Sequence, residues 1–222
     1  MNKAQKKDVT KVESFFDSYA SDFDSIYGSL KKRSFLTKLT DNLFRQSMFN
    51  RYQLTLNFIS STKDISSCLD IGTGPGRYCI DIAKLNIKNT GIDVSSEMIK
   101  VANSKIPSKL DSLINFECVD YMQFFPQNKF DASVLMGFFD YIQDPVELFL
   151  KLKKDTNKYI LASFPKKYEP LSMQRYIRYT LNKCPLYLYS KKKLIDIMKR
   201  SEINNFEIIN NKREYFLIVK LN

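Results

Sequence analysis

One stretch limits what this chain can become. Between positions 67 and 94 it reads SCLDIGTGPGRYCIDIAKLNIKNTGIDV. An apolar run over 68–71 enters a turn holding Gly72, Gly74 and Gly76, a helical segment follows over 77–85, and a second apolar run ends at Asp93. This order predicts a strand, a glycine turn, a helix and a parallel second strand. Glycines without a Cβ let backbone approach a ligand closely. Asp93, at the tip of the second strand, stands where a carboxylate can accept both hydroxyls of a ribose.

The turn is G-x-G-x-G, whereas a dinucleotide site favours G-x-G-x-x-G. Asp70 lies two residues before the first glycine. Beside a pyrophosphate that carboxylate would be repelled, by ~4 kcal/mol for unit charges ~4 Å apart at an effective dielectric of ~20. Beside a cationic amino-acid head group it would be attracted. S-adenosyl-L-methionine carries an ammonium, a sulfonium and a ribose, and no phosphate. The run Leu69, Asp70, Ile71, Gly72, Thr73, Gly74, Pro75, Gly76 resembles the first motif of class I S-adenosylmethionine-dependent methyltransferases. A ligand-free glycine turn and a nicotinamide site are the alternatives. The resemblance extends over nearly the whole chain, with the glycine motif and Asp93 its most specific parts. It implies an α/β fold: a doubly wound seven-stranded sheet, mostly parallel, with an antiparallel last strand. The helix after the turn would offer its N-terminus to the methionine carboxylate.

The chain has 222 residues, enough for one α/β domain. We expect a single domain over 1–222, with a helical lid or cover at 1–60 and an acceptor-side insertion at 166–189. No apolar run is long enough to span a membrane. The polar start MNKAQKKDVTK lacks the apolar core of a signal peptide, so a cytoplasmic location is expected. Cys68, Cys79, Cys118 and Cys184 form no C-x-x-C pair, and histidine is absent. That argues against a zinc site, and we expect no metal. Cys68 and Cys118 lie in strand-like runs and read as buried thiols. The formal charge is +11, and positions 151–200 hold 14 basic and 3 acidic side chains. Such a field suits an anionic partner, but also a solvated lysine-rich face.

Positions 12–27 carry apolar residues near helical spacing, and the pattern around Phe16, Tyr19, Phe23 and Tyr27 resembles the lid segment of small-molecule methyltransferases. The resemblance sets Tyr19 or Tyr27 against the methionine moiety; plain packing is the alternative. A longer helix is predicted over 31–60, covering one sheet face, with Arg33, Arg45 and Arg51 as solvated charges in preference to substrate contacts. Ser95 or Ser96 can cap a helix over 97–104. Met98 falls where the family packs a side chain against adenine, although core packing accounts for it equally. A third strand over 114–119 ends at Asp120 and Tyr121. The resemblance gives Asp120 to the adenine amine, with turn capping as the alternative, and adds Tyr121 to the cofactor set. A fourth strand over 130–136 is apolar enough to be buried on both faces. Its end at Met136 should adjoin the reacting methyl.

Asp144, Pro145 and Glu147 read as a helix start. In the resembling family a histidine commonly stands where this chain has Tyr141. Asp140 and Tyr141 are therefore the candidates for substrate contact or proton removal, with capping and packing as alternatives. The insertion is basic and tyrosine-rich. Tyr168, Arg175, Tyr176 and Arg178 are its candidate acceptor contacts, or local packing. The end of the chain predicts a hairpin turning at Asn210 and Asn211. The implied reaction is methyl transfer to a small molecule, at oxygen. An RNA or DNA methyltransferase using the basic region is one rival, and a non-catalytic cofactor-binding module another. Against the nucleic-acid reading, no Asn/Asp-Pro-Pro-Tyr/Phe loop follows the fourth strand, and Cys184 precedes a proline instead of following one.

Overall fold

The computed structural model describes residues 12–13, 35–167 and 186–221, with residues 35–45 described by backbone alone. The strands are β1 (Ser67–Ile71), β2 (Lys88–Asp93), β3 (Ile114–Cys118), β4 (Phe130–Leu135), β5 (Thr156–Pro165), β6 (Phe206–Asn211) and β7 (Glu214–Lys220). They form one sheet in the order β3-β2-β1-β4-β5-β7-β6. The first five are parallel, while β7 lies antiparallel between β5 and β6. The order reverses between β1 and β4, so the crevice of this doubly wound sheet opens past the carboxyl ends of those two strands.

The described helices are α1 (Phe35–Ser61), α2 (Arg77–Ala83), α3 (Ser96–Ser104), α4 (Val146–Asp155) and α5 (Lys191–Arg200). None is long and apolar enough to cross a membrane. Alternation along the strands fills two cores. Cys68, Ala132, Val134 and Leu161 face one way and pack with Ile59 of α1 and Ile82 of α2. Leu69, Ile71, Leu135 and Phe164 face the other way and pack with Phe149 of α4 and Leu194 of α5. Both faces of β4 are buried, as its largely apolar sequence predicts.

Four local expectations need correction. The hairpin turns at Lys212 and Arg213, not at the two asparagines; Asn211 stays in β6, paired with Glu214. Its Nδ2 donates to the Ser47 carbonyl (3.1 Å) and Glu214 Oε1 (3.3 Å), which holds it in the strand. Cys118 is exposed because β3 is an edge strand; Cys68 is buried. Arg51 is a largely covered charge paired with Glu214, not a solvated one. Asp144 binds Arg200 (2.6 Å), and α4 begins two residues later, after Pro145.

Candidate functional site

The glycine turn is built from its backbone outward. The N–H groups of Gly72 and Thr73 both donate to the Ile92 carbonyl, at 2.8 and 3.0 Å, which closes the turn onto β2. Gly74 donates to Asp93 Oδ2 at 2.9 Å, and Ser95 donates to Asp93 Oδ1 at 3.0 Å. Ser95 in turn caps α3 by accepting from the Met98 N–H. A carboxylate has acceptor sites for about four hydrogen bonds, so two backbone donors and two ribose hydroxyls suit Asp93 together.

The glycines differ in what surrounds them. A Cβ on Gly76 would lie 2.5 Å from Phe116 Cζ, so that glycine packs the loop against β3. A Cβ on Gly74 would meet nothing within 4 Å among the described residues, although φ is +52°. Open space at the loop tip, bounded by the carboxylate of Asp93, is what a nucleoside cofactor needs. Gly72 lies against Phe138, the second residue after Met136 at the end of β4.

Asp70 has a different part from the one its position suggests. It is 1% exposed and accepts from Thr73 Oγ1 (2.7 Å) and weakly from Cys79 Sγ (3.7 Å). It braces the loop from within and does not face the open side. Burial raises its pKa to about 7, against hydrogen bonds from Thr73 and Cys79, with Asp93 adding repulsion. Thr73 is a residue that the motif alone did not single out.

The adenine-side candidates separate. Asp120 caps the turn Tyr121–Gln123 through Oδ1, which accepts from the Met122 N–H at 2.9 Å. It remains at the end of β3, beside the crevice. Tyr121 is turned away: it is 2% exposed and its hydroxyl donates to Asp155 at 2.9 Å. Its side chain belongs to the core. Met136 packs among Val134, Ile59 and Phe216 on the α1 side of the sheet, so its side chain too is core, and only its position at the end of β4 adjoins the crevice. Met98 is buried. The helix α2 spans seven residues, shorter than expected.

Beyond β4 the chain makes a tight turn, Phe139–Tyr141. Phe139 anchors it, stacked on Phe164 with centroids 4.2 Å apart and on Phe149 at 5.5 Å. This leaves Asp140 buried, 4% exposed, and Tyr141 half-buried next to it. The Asp140 carbonyl accepts from the Tyr187 N–H at 2.8 Å, which brings the far end of the insertion to this turn. Tyr189 donates to the Ile142 carbonyl, and burial raises its pKa. Tyr19, Tyr27, Tyr168, Arg175, Tyr176 and Arg178 lie outside the described residues.

A second polar group lies between α1 and the sheet. Arg51 Nη1 donates to Glu214 Oε2 (2.9 Å) and Ser163 Oγ (3.3 Å). Ser47 Oγ donates to Glu214 Oε1 (3.0 Å), and the Gly137 N–H donates to Ser163 Oγ (2.8 Å). Sequence reasoning missed this group, because Ser47 and Arg51 of α1 lie more than a hundred positions from Ser163 and Glu214 and no local pattern links them.

The glycine loop, the Asp93 carboxylate and the strand order together define a doubly wound protein with a nucleoside-cofactor crevice. Residues 69–155 match the family model described as a methyltransferase domain. No curated protein matches this sequence at a significant level. A magnesium protoporphyrin IX methyltransferase from Synechocystis, solved with bound S-adenosylhomocysteine, superposes with a TM-score of 0.74 at 19% identity, covering 96% of this chain and 98% of that one. A methyltransferase from Thermotoga maritima gives 0.65 at 12% identity, covering 95% and 99%. An O-methyltransferase family protein from Burkholderia thailandensis gives 0.64 at 13%, covering 94% and 70%. At these identities the likeness is one of fold, and the domain match supplies the chemistry. The chain holds a methyltransferase domain over residues 69–155, on the fold shared with S-adenosylmethionine-dependent methyltransferases.

Proposed function

We propose that this enzyme methylates a small molecule at oxygen, with the acceptor held between the turn after β4 and the segment 166–189. The observation that supports this most is the turn itself. It sets Asp140, which is buried, and Tyr141 two and three residues after Phe138, which packs against Gly72 of the cofactor loop. Bound cofactor supplies a methyl group on a sulfonium, already a good leaving group. The protein's share is then positioning, which can lower a barrier by about 7–11 kcal/mol in well-oriented reactions. Asp140 and Tyr141 orient the acceptor hydroxyl and receive or relay its proton. Tyr168, Arg175, Tyr176 and Arg178 would contact the rest of the acceptor.

Nucleic acid is the second reading, favoured by the basic composition of 151–200. Several of those charges are already paired: Lys151 with Asp155, Lys158 with Asp131, Lys153 with Glu202 and Arg200 with Asp144. The test uses methyl-tritiated cofactor with a small-molecule extract in one reaction and total RNA in another. Label in the extract alone supports the proposal. Label in RNA, with binding that weakens steeply as salt rises, replaces it. A Tyr141→Phe enzyme with an unaltered rate on the labelled acceptor would leave Tyr141 with packing only.

A further inference from the structure

We infer that Arg51 is a positioning residue: held by Glu214, it fixes the peptide of Gly137 and thereby the wall that Phe138 forms against the cofactor loop. The inference rests on the crevice past β1 and β4 being the cofactor site. The links join four parts of the fold. Glu214 opens β7, Ser163 lies in β5, Gly137 follows β4, and Arg51 and Ser47 come from α1. The side chains of Arg51 and Glu214 are 11% and 8% exposed. Glu214 is held further by Ser47 and Asn211.

The guanidinium does not merely lie near Gly137. A Cβ there would meet Arg51 Nη1 at 3.5 Å and Nη2 at 3.7 Å, so the arginine covers a peptide with φ of +77°. Ser163 Oγ accepts from both sides, from the Gly137 N–H at 2.8 Å and from Arg51 at 3.3 Å. One residue on, Phe138 Cδ2 would lie 2.9 Å from a Cβ on Gly72. A shift of the Gly137 peptide is therefore passed directly to the first glycine of the cofactor loop.

Stability alone is a poor reason for such a group. Buried ion pairs replaced by well-packed apolar residues are commonly neutral or stabilising, because desolvation offsets attraction. A charged pair fixes geometry in a way that apolar packing does not. Here the geometry it fixes is at the sheet edge where ligand and acceptor meet.

The test compares wild type with S163A, R51K and the double variant R51Q/E214Q, which keeps a neutral hydrogen-bonding pair. S-adenosylhomocysteine is the probe in calorimetry, and amide exchange is read at Gly137. We expect S163A and the double variant to keep their thermal midpoints within about 4 °C. Their affinity for the probe should fall about tenfold, within the range for mutations along a coupled network, and Gly137 should exchange faster. R51K, which keeps the charge and one donor group, should recover part of both. Wild-type affinity with wild-type protection of Gly137 in S163A overturns the proposal, and S163A decides alone if the double variant does not fold. A wild-type chain that does not bind the probe brings down the cofactor site itself, which is a distinguishable failure.

Discussion

The backbone N–H of Gly74 donates to Oδ2 of Asp93 across 2.9 Å. β1 and β2 run parallel with Ile71 opposite Ile92, so the loop after β1 has to reach back to touch the end of β2. That bond ties the two halves of the cofactor crevice together before any ligand arrives. The other oxygen of Asp93 holds the start of the α3 turn through Ser95.

Replacing Asp93 by alanine removes both backbone contacts and the acceptor for ribose. Hydrogen bonds to a charged group contribute about 1.5–3 kcal/mol each, so cofactor affinity should fall about 10- to 100-fold or more. Calorimetric titration with S-adenosylhomocysteine checks this. An unchanged dissociation constant would remove Asp93 from the site.

Two glycine substitutions separate ligand space from packing. Gly74→Ala and Gly76→Ala both force a Cβ into the left-handed region, at about 1–2 kcal/mol each. Gly76→Ala also drives that Cβ onto Phe116 and to 3.0 Å from Ala102, adding about 1–3 kcal/mol of overpacking. The Gly76 variant should therefore lose more stability in urea. The Gly74 variant should stay folded and lose cofactor affinity. Equal affinity losses at equal stability would mean that the open space at Gly74 is not where the ligand lies.

What the sequence made legible follows from range. The glycine turn, Asp93 and the apolar strands are local patterns, and β1, β2 and β4 form where those patterns predict. Ser95 caps α3 as a serine before a helix should. Strand-end position says nothing of side-chain direction: the Tyr121 ring enters the core to reach Asp155, thirty-four positions away. Asp70 was read as facing a ligand because its partner, Thr73, is unremarkable in sequence. Arg51 looks like any helix charge until the fold brings Glu214 to it.

Asp70 gives a pH signature. Burial raises its pKa from 3.8 to about 7, so the folded state holds its proton more tightly than the unfolded state does. For such a group the contribution to stability is complete below the unfolded value and is lost as pH rises through the folded one. Between pH 4 and 7 the loss is at most about 4 kcal/mol. The chain has no histidine, and ordinary carboxylates are mostly ionised by pH 5, so the interval from pH 5 to pH 8 isolates Asp70 best. Urea midpoints of wild type should fall from pH 5 to pH 8, and Asp70→Asn should flatten that slope. Parallel slopes in the two proteins would show that Asp70 is already ionised in the native state.

Tyr121→Phe decides whether that ring belongs to the core or the cofactor. Its hydroxyl donates to Asp155 Oδ2, which also receives Lys151 Nζ at 2.6 Å, and burial with the nearby carboxylate raises the phenol pKa. Removing the hydroxyl leaves Asp155 paired with Lys151, so the cost in stability should be about 1–2 kcal/mol. The ring keeps its place under the Lys151 ammonium, 4.5 Å from its centroid. Affinity for S-adenosylhomocysteine should stay within about twofold, since the ring enters the core and its hydroxyl binds Asp155. A tenfold loss of affinity with unchanged stability would return Tyr121 to the adenine side, and Asp155 would then have to turn toward solvent.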